Sequence, residues 1–266
     1  FELIKLAKDS GADIAKFQKR NSKELLTEEQ YDAPHPNPIN SYGDTYGAHR
    51  EFLEFNTEEN KLLKKYCEEI GIEYSTSVWD VTSAKKMITF QPNFLKVPSA
   101  CNNHFEMLEV LRDEFEGEVH LSLGMTTIKE EEKIISFFDK NNANDRLVIY
   151  SCTSGYPVPF PDVCLMEINR LYGLYENKVK AIAFSGHHLG IAIDIAAYTL
   201  GAKYIERHFT KDRTWKGTDH SASLEPTGLK KLVRDLHATY ESLNYKKSEI
   251  LDIEAPQREK LKWKER

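Results

Sequence analysis

Two histidines stand at the ends of neighbouring apolar runs in the last third of the chain. His187 follows the run 181–184, and His208 lies in the run 204–209. The residues between the two runs have the apolar spacing of a helix and a glycine near its end, so they predict one strand–helix–strand unit. Adjacent parallel strands bring their carboxyl ends to one edge of a sheet, where α/β proteins bind ligands. Because imidazole suits first-row transition metals, the pair predicts a metal site.

Lysines and hydroxyls end the other predicted strands. These polar residues are Lys16, Gln18, Ser75, Thr76, Ser77, Lys96, Ser99, Ser122, Thr153, Ser154, Tyr156, Ser185 and Glu206. Lys96 stands between Leu95 and Val97, so its buried amine needs a partner. Ammonium and hydroxyl groups bind phosphate or carboxylate, which predicts a site for a phosphorylated anion beside a divalent cation. The remaining histidines of interest are interpreted as structural or surface residues: His104, His120, His188 and His220.

Strands and helices alternate along the chain. The predicted strands are 13–18, 73–77, 93–97, 119–122, 147–151, 180–184 and 204–209. The predicted helices are 1–10, 57–71 with Thr57 as its N-cap, 82–90, 105–115, 128–141, 163–175, one that ends at 200, and 227–243. This alternation predicts a parallel sheet. With one more strand expected upstream of residue 1, it predicts a (β/α)8 TIM barrel that lacks its first strand in this sequence. A doubly wound open sheet is the alternative, although no GxGxxG motif follows a strand.

Two segments lie outside the alternation. Residues 20–56 are long, irregular and rich in Pro, Asn, Tyr and Gly, which is typical of a functional loop or lid. Residues 244–266 are charged and lack sustained periodicity, which indicates an exposed arm or linker. We therefore expect a barrel catalytic domain over residues 1–243.

Net charge, apolar runs and cysteine spacing exclude several classes of protein. The chain has 266 residues and a net charge of −6, and this acidic balance argues against nucleic-acid or anionic-membrane partners. No apolar run is long enough for a transmembrane helix, and the first residues have no signal-peptide pattern. The four cysteines are widely spaced, which predicts buried, reduced thiols in a cytoplasmic protein.

Five motifs carry a resemblance to a known family. They are KFQ, KVPS, CTSGYP, SGHH and ERHFTKDRTWKGTDHSASLEP. Together they resemble the sialic acid synthase (N-acetylneuraminate synthase) family over nearly the whole chain. The resemblance implies a (β/α)8 barrel followed by an antifreeze-like domain, a homodimer, and a divalent metal, Mn2+ or Mg2+. It implies that phosphoenolpyruvate condenses with an N-acylhexosamine, N-acetylmannosamine or its 6-phosphate, to a sialic acid with release of phosphate.

The same motifs imply roles for individual residues. By resemblance, the catalytic residues are Lys96, Tyr156 and Glu206, and the metal ligands are His187 and His208. The substrate-binding residues are Lys16, Gln18, Ser77, Ser99, Ser154 and Asp219. Ser77, Ser99 and Ser154 would hold phosphoenolpyruvate, Gln18 and Asp219 would face the sugar, and Lys16 would serve the anionic end.

The sequence departs from the family pattern in three places. The N-terminal strand motif and the antifreeze-like domain are absent from it, and Cys101 stands where the family usually has an acidic residue. Two alternative functions stay open: an aldolase that uses Lys16 or Lys96 as a Schiff base, and a non-catalytic binding barrel. The sugar is also open among N-acetylmannosamine, its 6-phosphate and a diacetylated trideoxyhexose, with Lys216 and Arg213 as candidate contacts for a sugar phosphate.

Overall fold

The computed structural model describes residues 1–263 and is built on one sheet of seven parallel strands. The strands are β1 (Ile14–Lys19), β2 (Glu73–Val78), β3 (Phe94–Val97), β4 (Glu118–Ser122), β5 (Leu147–Cys152), β6 (Ala181–Gly186) and β7 (Ile205–Arg207). Each strand pairs with the next one in sequence. The last strand is shorter than the predicted run 204–209, and His208 follows it.

The sheet curls until its two edge strands face each other. Lys16 lies on β1 and Glu206 on β7, and their Nζ and Oε2 atoms are 3.6 Å apart. In a flat seven-stranded sheet these strands would be roughly 29 Å apart, which is six spacings of about 4.8 Å. The sequential strand order has no reversal point, so the doubly wound alternative is wrong.

A cavity of about 720 Å³ separates the edge strands. Its walls are β1, β7 and two outer helices, and it reaches the interior at Phe94 and Tyr150. Among the described residues the sheet has seven strands, and the expected eighth strand stays a prediction.

The chain forms twelve α-helices among the described residues. They are α1 (Glu2–Asp9), α2 (Ser22–Leu25), α3 (Glu28–Asp32), α4 (Tyr46–Phe52), α5 (Thr57–Ile70), α6 (Val81–Ile88), α7 (Phe105–Glu114), α8 (Ile128–Asp139), α9 (Glu167–Tyr175), α10 (Ala192–Thr199), α11 (Pro226–Ser242) and α12 (Ala255–Leu261). The N-cap of α5 is Asn56 rather than Thr57, because Asn56 and Glu59 form a reciprocal capping box. Gly71 ends this helix at φ 72°, a left-handed conformation that favours glycine.

The predicted loop 20–56 contains three short helices, α2 to α4, so it is more ordered than expected. Thr27 and Thr45 cap α3 and α4 through their side chains. The segment meets the loop after β7, where the Tyr42 hydroxyl donates to the carbonyl of Lys216 at 2.7 Å. These two loops therefore form one layer on the carboxyl side of the sheet.

Cysteine burial differs in part from expectation. Cys67 and Cys101 are buried, whereas Cys164 is exposed, and all four thiols are free. Beyond α11 the described chain is mostly exposed, as expected of an arm. It also carries the short helix α12, which the sequence did not predict because the segment lacks sustained apolar periodicity. Within residues 1–263, none of the helices combines the length and the apolar character that a membrane crossing requires.

Candidate active site

Glu206 is the meeting point of two lysines at the carboxyl end of the sheet. Lys96 Nζ donates to Glu206 Oε2 at 2.9 Å, and Lys16 Nζ lies 3.6 Å from the same oxygen. Ser185 donates to the other carboxylate oxygen at 2.9 Å. Lys16 also donates to Ser77 Oγ at 3.0 Å, so strands β1, β2, β3, β6 and β7 all contribute to this cluster.

The charges of the two lysines and of Glu206 shift the pKa values of Glu206 and Lys96. Burial alone would raise the pKa of Glu206, but the cations of Lys16 and Lys96 outweigh it and lower the pKa below its usual range. Burial lowers the pKa of Lys96, and Glu206 acts in the opposite direction. Two ammonium groups against one carboxylate leave one net positive charge, which suits an anionic ligand.

Two serine hydroxyls predicted to bind substrate converge around Gly124. A Cβ atom added to Gly124 would lie 2.5 Å from Ser154 Oγ and 2.7 Å from Ser99 Oγ. The backbone N–H of Gly124 donates to Ser99 Oγ at 3.0 Å. Only glycine leaves room for both hydroxyls, and neither spacing nor residue type in the sequence indicated its role.

The two predicted metal ligands lie together with Tyr156. The ring centroids of His187 and His208 are 5.2 Å apart, and the Tyr156 ring lies 4.5 Å from His187 and 5.7 Å from His208. His187 Nδ1 is 3.0 Å from the carbonyl oxygen of Thr153. Because a carbonyl only accepts, Nδ1 must carry the proton, and the lone pair of Nε2 is left for a ligand.

This donor set fits a divalent transition metal. Burial and the neighbouring His208 lower the pKa of His187 to about 4, and burial also lowers the pKa of His208, so both imidazoles are neutral ligands at pH 7. Within residues 1–263, no group of three or more His, Cys, Asp and Glu side chains is arranged to hold a metal. His187 and His208 are the two nitrogen donors that this part of the site offers.

Gln18 and Asp219 border this cluster. Gln18 pairs in register with Ser77, and in the described chain its buried Oε1 has no hydrogen-bond partner. Asp219 Oδ2 lies 3.6 Å from His208 Nδ1. An amide oxygen and a carboxylate at this position can accept hydrogen bonds from the hydroxyls of a sugar.

Cys101 packs inward rather than toward the site. It belongs to the main hydrophobic core, and its thiol faces the carbonyl oxygens of Val78 and Pro98 at 3.8 Å. Burial raises the pKa of this thiol to about 12, so it stays neutral. It does not replace the charge of an acidic residue.

A cationic rim cluster, defined here as Arg20, Arg50 and Trp79, includes the ion pair of Arg20 with Glu54. Lys216, a predicted contact, lies 4.6 Å from the centroid of the Tyr42 ring. The Arg20 and Arg50 guanidinium carbons are both 5.4 Å from the centroid of the Trp79 ring. Burial and the charge of Arg20 lower the pKa of Arg50, whereas Tyr46, Glu54 and Asp219 act in the opposite direction. Arg213, a predicted contact, instead donates to the carbonyl of Ser221 in its own loop. Sequence reasoning missed Arg50, because it lies on α4, a helix in the segment that the sequence predicted to be an irregular loop.

A buried ion pair supports the loop that carries His187. Arg207 donates to Asp194 at 2.5 Å and to the carbonyl of His188 at 2.7 Å. Asp194 is fully buried. A single acidic residue within an otherwise apolar helix is the sequence signal that could have identified it.

Fold and site together define an α/β protein of the curled parallel-sheet type, with a positively charged cluster and a histidine pair at the carboxyl ends of its strands. The model of the NeuB family matches residues 3–248. The chain belongs to the NeuB family, in agreement with the resemblance found in its motifs.

Individual relatives agree with this placement. The chain is 36% identical to N-acetylneuraminate-9-phosphate synthase of Homo sapiens over 97% of its own length and 70% of that protein. It is 31% identical to N,N'-diacetyllegionaminic acid synthase of Campylobacter jejuni over 87% of its length and 68% of that protein. Among solved structures, the N-acetylneuraminic acid (sialic acid) synthetase of Leptospira borgpetersenii, in complex with citrate, superposes with a TM-score of 0.80 at 29% identity, covering 99% of this chain and 86% of that one. A phospho-2-dehydro-3-deoxyheptonate aldolase of Thermotoga maritima, 14% identical with a TM-score of 0.68 over 91% of this chain and 65% of that one, shares the fold.

Proposed function

We propose that this protein condenses phosphoenolpyruvate with an N-acylhexosamine to form a sialic acid and releases phosphate. The observation that carries the proposal is the pair Lys16 and Lys96 on one carboxylate, Glu206, beside His187 and His208, in a chain of the NeuB family. The names of the relatives, which are synthases of N-acetylneuraminate 9-phosphate and of diacetyllegionaminic acid, support this reaction class.

The phosphoenolpyruvate end of the site would use the positive cluster. Lys16 and Lys96 would face the anionic groups, and Ser99 and Ser154 would donate hydroxyls near the Gly124 backbone. When the substrate takes up part of the charge of the lysines, their hold on Glu206 weakens and its pKa rises. Glu206 then becomes able to accept a proton, a role it is too acidic to perform in the free site.

The reaction forms one bond between carbons and breaks one bond to phosphate. C3 of phosphoenolpyruvate attacks the aldehyde carbon of the open-chain sugar, and the aldehyde oxygen takes up a proton. Water adds to the resulting cation at C2 and loses its proton toward Glu206. The bond from C2 to the phosphate oxygen then breaks while the C2 hydroxyl gives up its proton to the departing phosphate, which gives the 2-keto acid and inorganic phosphate. The Tyr156 side chain lies over both histidines, where it would orient the aldehyde.

His187 and His208 are the residues that would hold a divalent cation, Mn2+ or Mg2+. Such an ion supplies Lewis-acid polarisation of the aldehyde oxygen when it is bound. The hydrogen bond from His187 Nδ1 to Thr153 fixes the ring so that Nε2 can serve as a ligand.

The cationic rim cluster favours a phosphorylated sugar. Arg50 lies over the faces of Tyr46 and Trp79, at 5.3 and 5.4 Å. Stacking uses the face of a guanidinium, so the N–H groups at its edge can bind the oxygens of a phosphate. Gln18 and Asp219 would bind the hydroxyl groups of the same sugar. We therefore favour N-acetylmannosamine 6-phosphate over the free sugar.

Release of inorganic phosphate from phosphoenolpyruvate tests the proposal. The purified chain with Mn2+ is given phosphoenolpyruvate alone, then with N-acetylmannosamine, its 6-phosphate, or a diacetylated trideoxyhexose. Phosphate release that depends on the sugar, together with a nonulosonic acid product seen by mass spectrometry, is the expected result. No release with any of these sugars would refute the proposal.

The aldolase alternative is less compatible with the site. A Schiff base needs an amine that is free to attack pyruvate, whereas Lys96 Nζ is held by Glu206 at 2.9 Å and Lys16 Nζ by Ser77 Oγ at 3.0 Å. Borohydride treatment with pyruvate should leave both lysines unmodified. The proposal has four further parts: a homodimer, closure of the sheet by an eighth strand between β1 and β7, a domain boundary at residue 243, and a cytoplasmic location. Light scattering tests the homodimer.

A further inference from the structure

A line of buried polar side chains runs under Lys96 through the interior of the sheet. We call Tyr150, His120 and Glu118 the polar column. Tyr150 and His120 are almost fully buried, whereas Glu118 lies at the opposite end of the sheet near solvent. Buried polar groups are costly unless each has a partner, so a column of them at this position requires an explanation.

The column begins directly below the ammonium of Lys96. Lys96 Nζ lies 3.5 Å from the centroid of the Tyr150 ring, while its other contact is Glu206 at 2.9 Å. The Tyr150 hydroxyl is 2.7 Å from His120 Nδ1, and His120 Nε2 is 3.1 Å from Glu118 Oε2. Glu118 also pairs with Lys180 at 2.8 Å. Contacts are therefore continuous from solvent to Lys96.

The direction of each hydrogen bond follows from the charge of Glu118. The hydrogen bond from His120 and the pairing with Lys180 lower the pKa of Glu118 to about 2, so this carboxylate only accepts. His120 Nε2 must then donate, and the neutral ring has Nδ1 as its acceptor. Tyr150 consequently donates to Nδ1, and burial raises its pKa so that it keeps the proton. The phenol dipole is fixed with its proton pointing away from Lys96.

We propose that Tyr150 and His120 are positioning residues that hold the ammonium of Lys96 in place for the anionic substrate. The ring face of Tyr150 supports the cation from below, and His120 fixes the ring through the hydroxyl. A hydroxyl that donates a hydrogen bond leaves more electron density on the ring, which strengthens this contact. The inference rests on the proposed function only in naming phosphoenolpyruvate as the anion.

Other charged or titratable groups also face Lys96. They are Glu206 from β7, Lys16 from β1, Cys152 from β5, His120 from β4 and His187 after β6. Glu206 lies nearest to Lys96 and therefore has a strong effect on its pKa. The test must leave both Glu206 and Lys16 unchanged. Substitutions at Tyr150 meet this condition.

The test measures the pKa of Lys96 in the metal-free, substrate-free chain. Carbon-13 labelled lysine gives an NMR titration, and the Lys96→Arg variant assigns the Lys96 signal. We expect Tyr150→Leu, which removes the ring, to lower the pKa of Lys96 by about one pH unit. Tyr150→Phe, which keeps the ring and loses the hydrogen bond, should give a smaller lowering. Tyr245→Leu is the matched control, because Tyr245 is 95% exposed.

Activity supplies the second readout. Tyr150→Leu should raise KM for phosphoenolpyruvate about tenfold, with Tyr150→Phe between it and the parent, whereas KM for the sugar should change little. An unchanged Lys96 pKa in a folded Tyr150→Leu protein would overturn the inference whether or not the protein is active. If the Lys96 pKa shifts in Tyr150→Leu but the parent chain has no synthase activity, the proposed function is overturned and the positioning role stands. If Tyr150→Leu does not fold, equal Lys96 pKa values in Tyr150→Phe and the parent overturn the inference.

Discussion

Lys96 on the third strand and Glu206 on the seventh form an ion pair across the interior of the sheet, with 2.9 Å between Nζ and Oε2. Lys96 is 1% exposed, so this charge has almost no water to stabilise it. A buried lysine paired in this way contributes little to stability by itself, because desolvation offsets the attraction. Its value lies in the positive charge that it presents where substrate binds.

Replacement of Lys96 by methionine should mainly damage phosphoenolpyruvate binding. Lys96→Met keeps the length of the side chain and leaves Glu206 with Lys16 as its partner. A charge-assisted hydrogen bond is worth about 1.5–3 kcal/mol, so we expect kcat/KM to fall about 10- to 100-fold. Steady-state phosphate release measures this. Lys65→Met is the control, because its ammonium lies on the exposed face of α5, 3.8 Å from Glu69. Equal losses in both variants would contradict the assignment.

Gly124 should tolerate no side chain. Gly124→Ala would place a Cβ 2.7 Å or less from the hydroxyls of Ser99 and Ser154 and force them apart. We expect KM for phosphoenolpyruvate to rise at least about tenfold, while KM for the sugar changes less than about twofold. Gly173→Ala, on the exposed side of α9 with nothing within 4 Å of the new Cβ, serves as the control and should stabilise the fold by about 0.5–1 kcal/mol. A similar change in both KM values would contradict this account.

The sequence predicted that the candidate site residues end strands at one edge of a parallel sheet, and the structure brings those residues together there. Alternation of strand and helix gave the strands to within about two residues, because each strand is a short apolar run between turn signals. Lys96 was identified because an amine between Leu95 and Val97 has no polar surroundings of its own. His187 and His208 were identified because they end neighbouring strands.

Contacts between distant segments could not be read from the sequence. Tyr150 and His120 lie on adjacent strands, but strand periodicity gives the face of a residue and not its register with a neighbour. Arg50 lies in a segment with weak apolar periodicity, so its packing on Trp79 depends on the tertiary fold. Cys101 was recognised as a substitution, but only the structure shows that its thiol faces the core.

Removal of the metal should abolish synthase activity reversibly. Chelation should reduce phosphate release at least 100-fold, and added Mn2+ should restore it. His187→Gln removes one of the two nitrogen ligands, so Mn2+ binding measured by electron paramagnetic resonance should weaken at least about tenfold. The control His237→Gln changes an exposed histidine on α11 and should bind Mn2+ normally. Unaltered binding by His187→Gln would contradict the ligand assignment independently of activity.

Arg50 should distinguish a phosphorylated sugar from a free one. Arg50→Met keeps the stacking bulk against Trp79 and removes the guanidinium edge. We expect KM for N-acetylmannosamine 6-phosphate to rise about 10- to 100-fold, with little change for phosphoenolpyruvate. Arg234→Met is the control, because Arg234 is an exposed residue that pairs with Asp235 on α11. If both variants use the phosphorylated sugar as the parent does, the phosphate contact lies elsewhere.

Because of His120, the free energy of unfolding should be lower in mild acid than at neutral pH. Burial lowers the pKa of His120 below its unfolded value of about 6.5, while Glu118 acts in the opposite direction. Below pH 6.5 the unfolded chain therefore binds a proton that the folded chain excludes. The free energy of unfolding should fall as pH falls from 7 toward 5, by up to about 1.4 kcal/mol per pH unit from this residue.

Urea unfolding of the chelated protein at several pH values between 5 and 8 tests this, with His120→Gln as the comparison. Glutamine can still donate to Glu118 but does not titrate. His187 and His208 also have lowered pKa values and are present in both proteins, so the difference between the two curves isolates His120. The curve of His120→Gln should be flatter over this range. Parallel curves would mean that His120 has the same proton affinity in the folded and unfolded chains, contrary to its buried position on Phe94 and Tyr150.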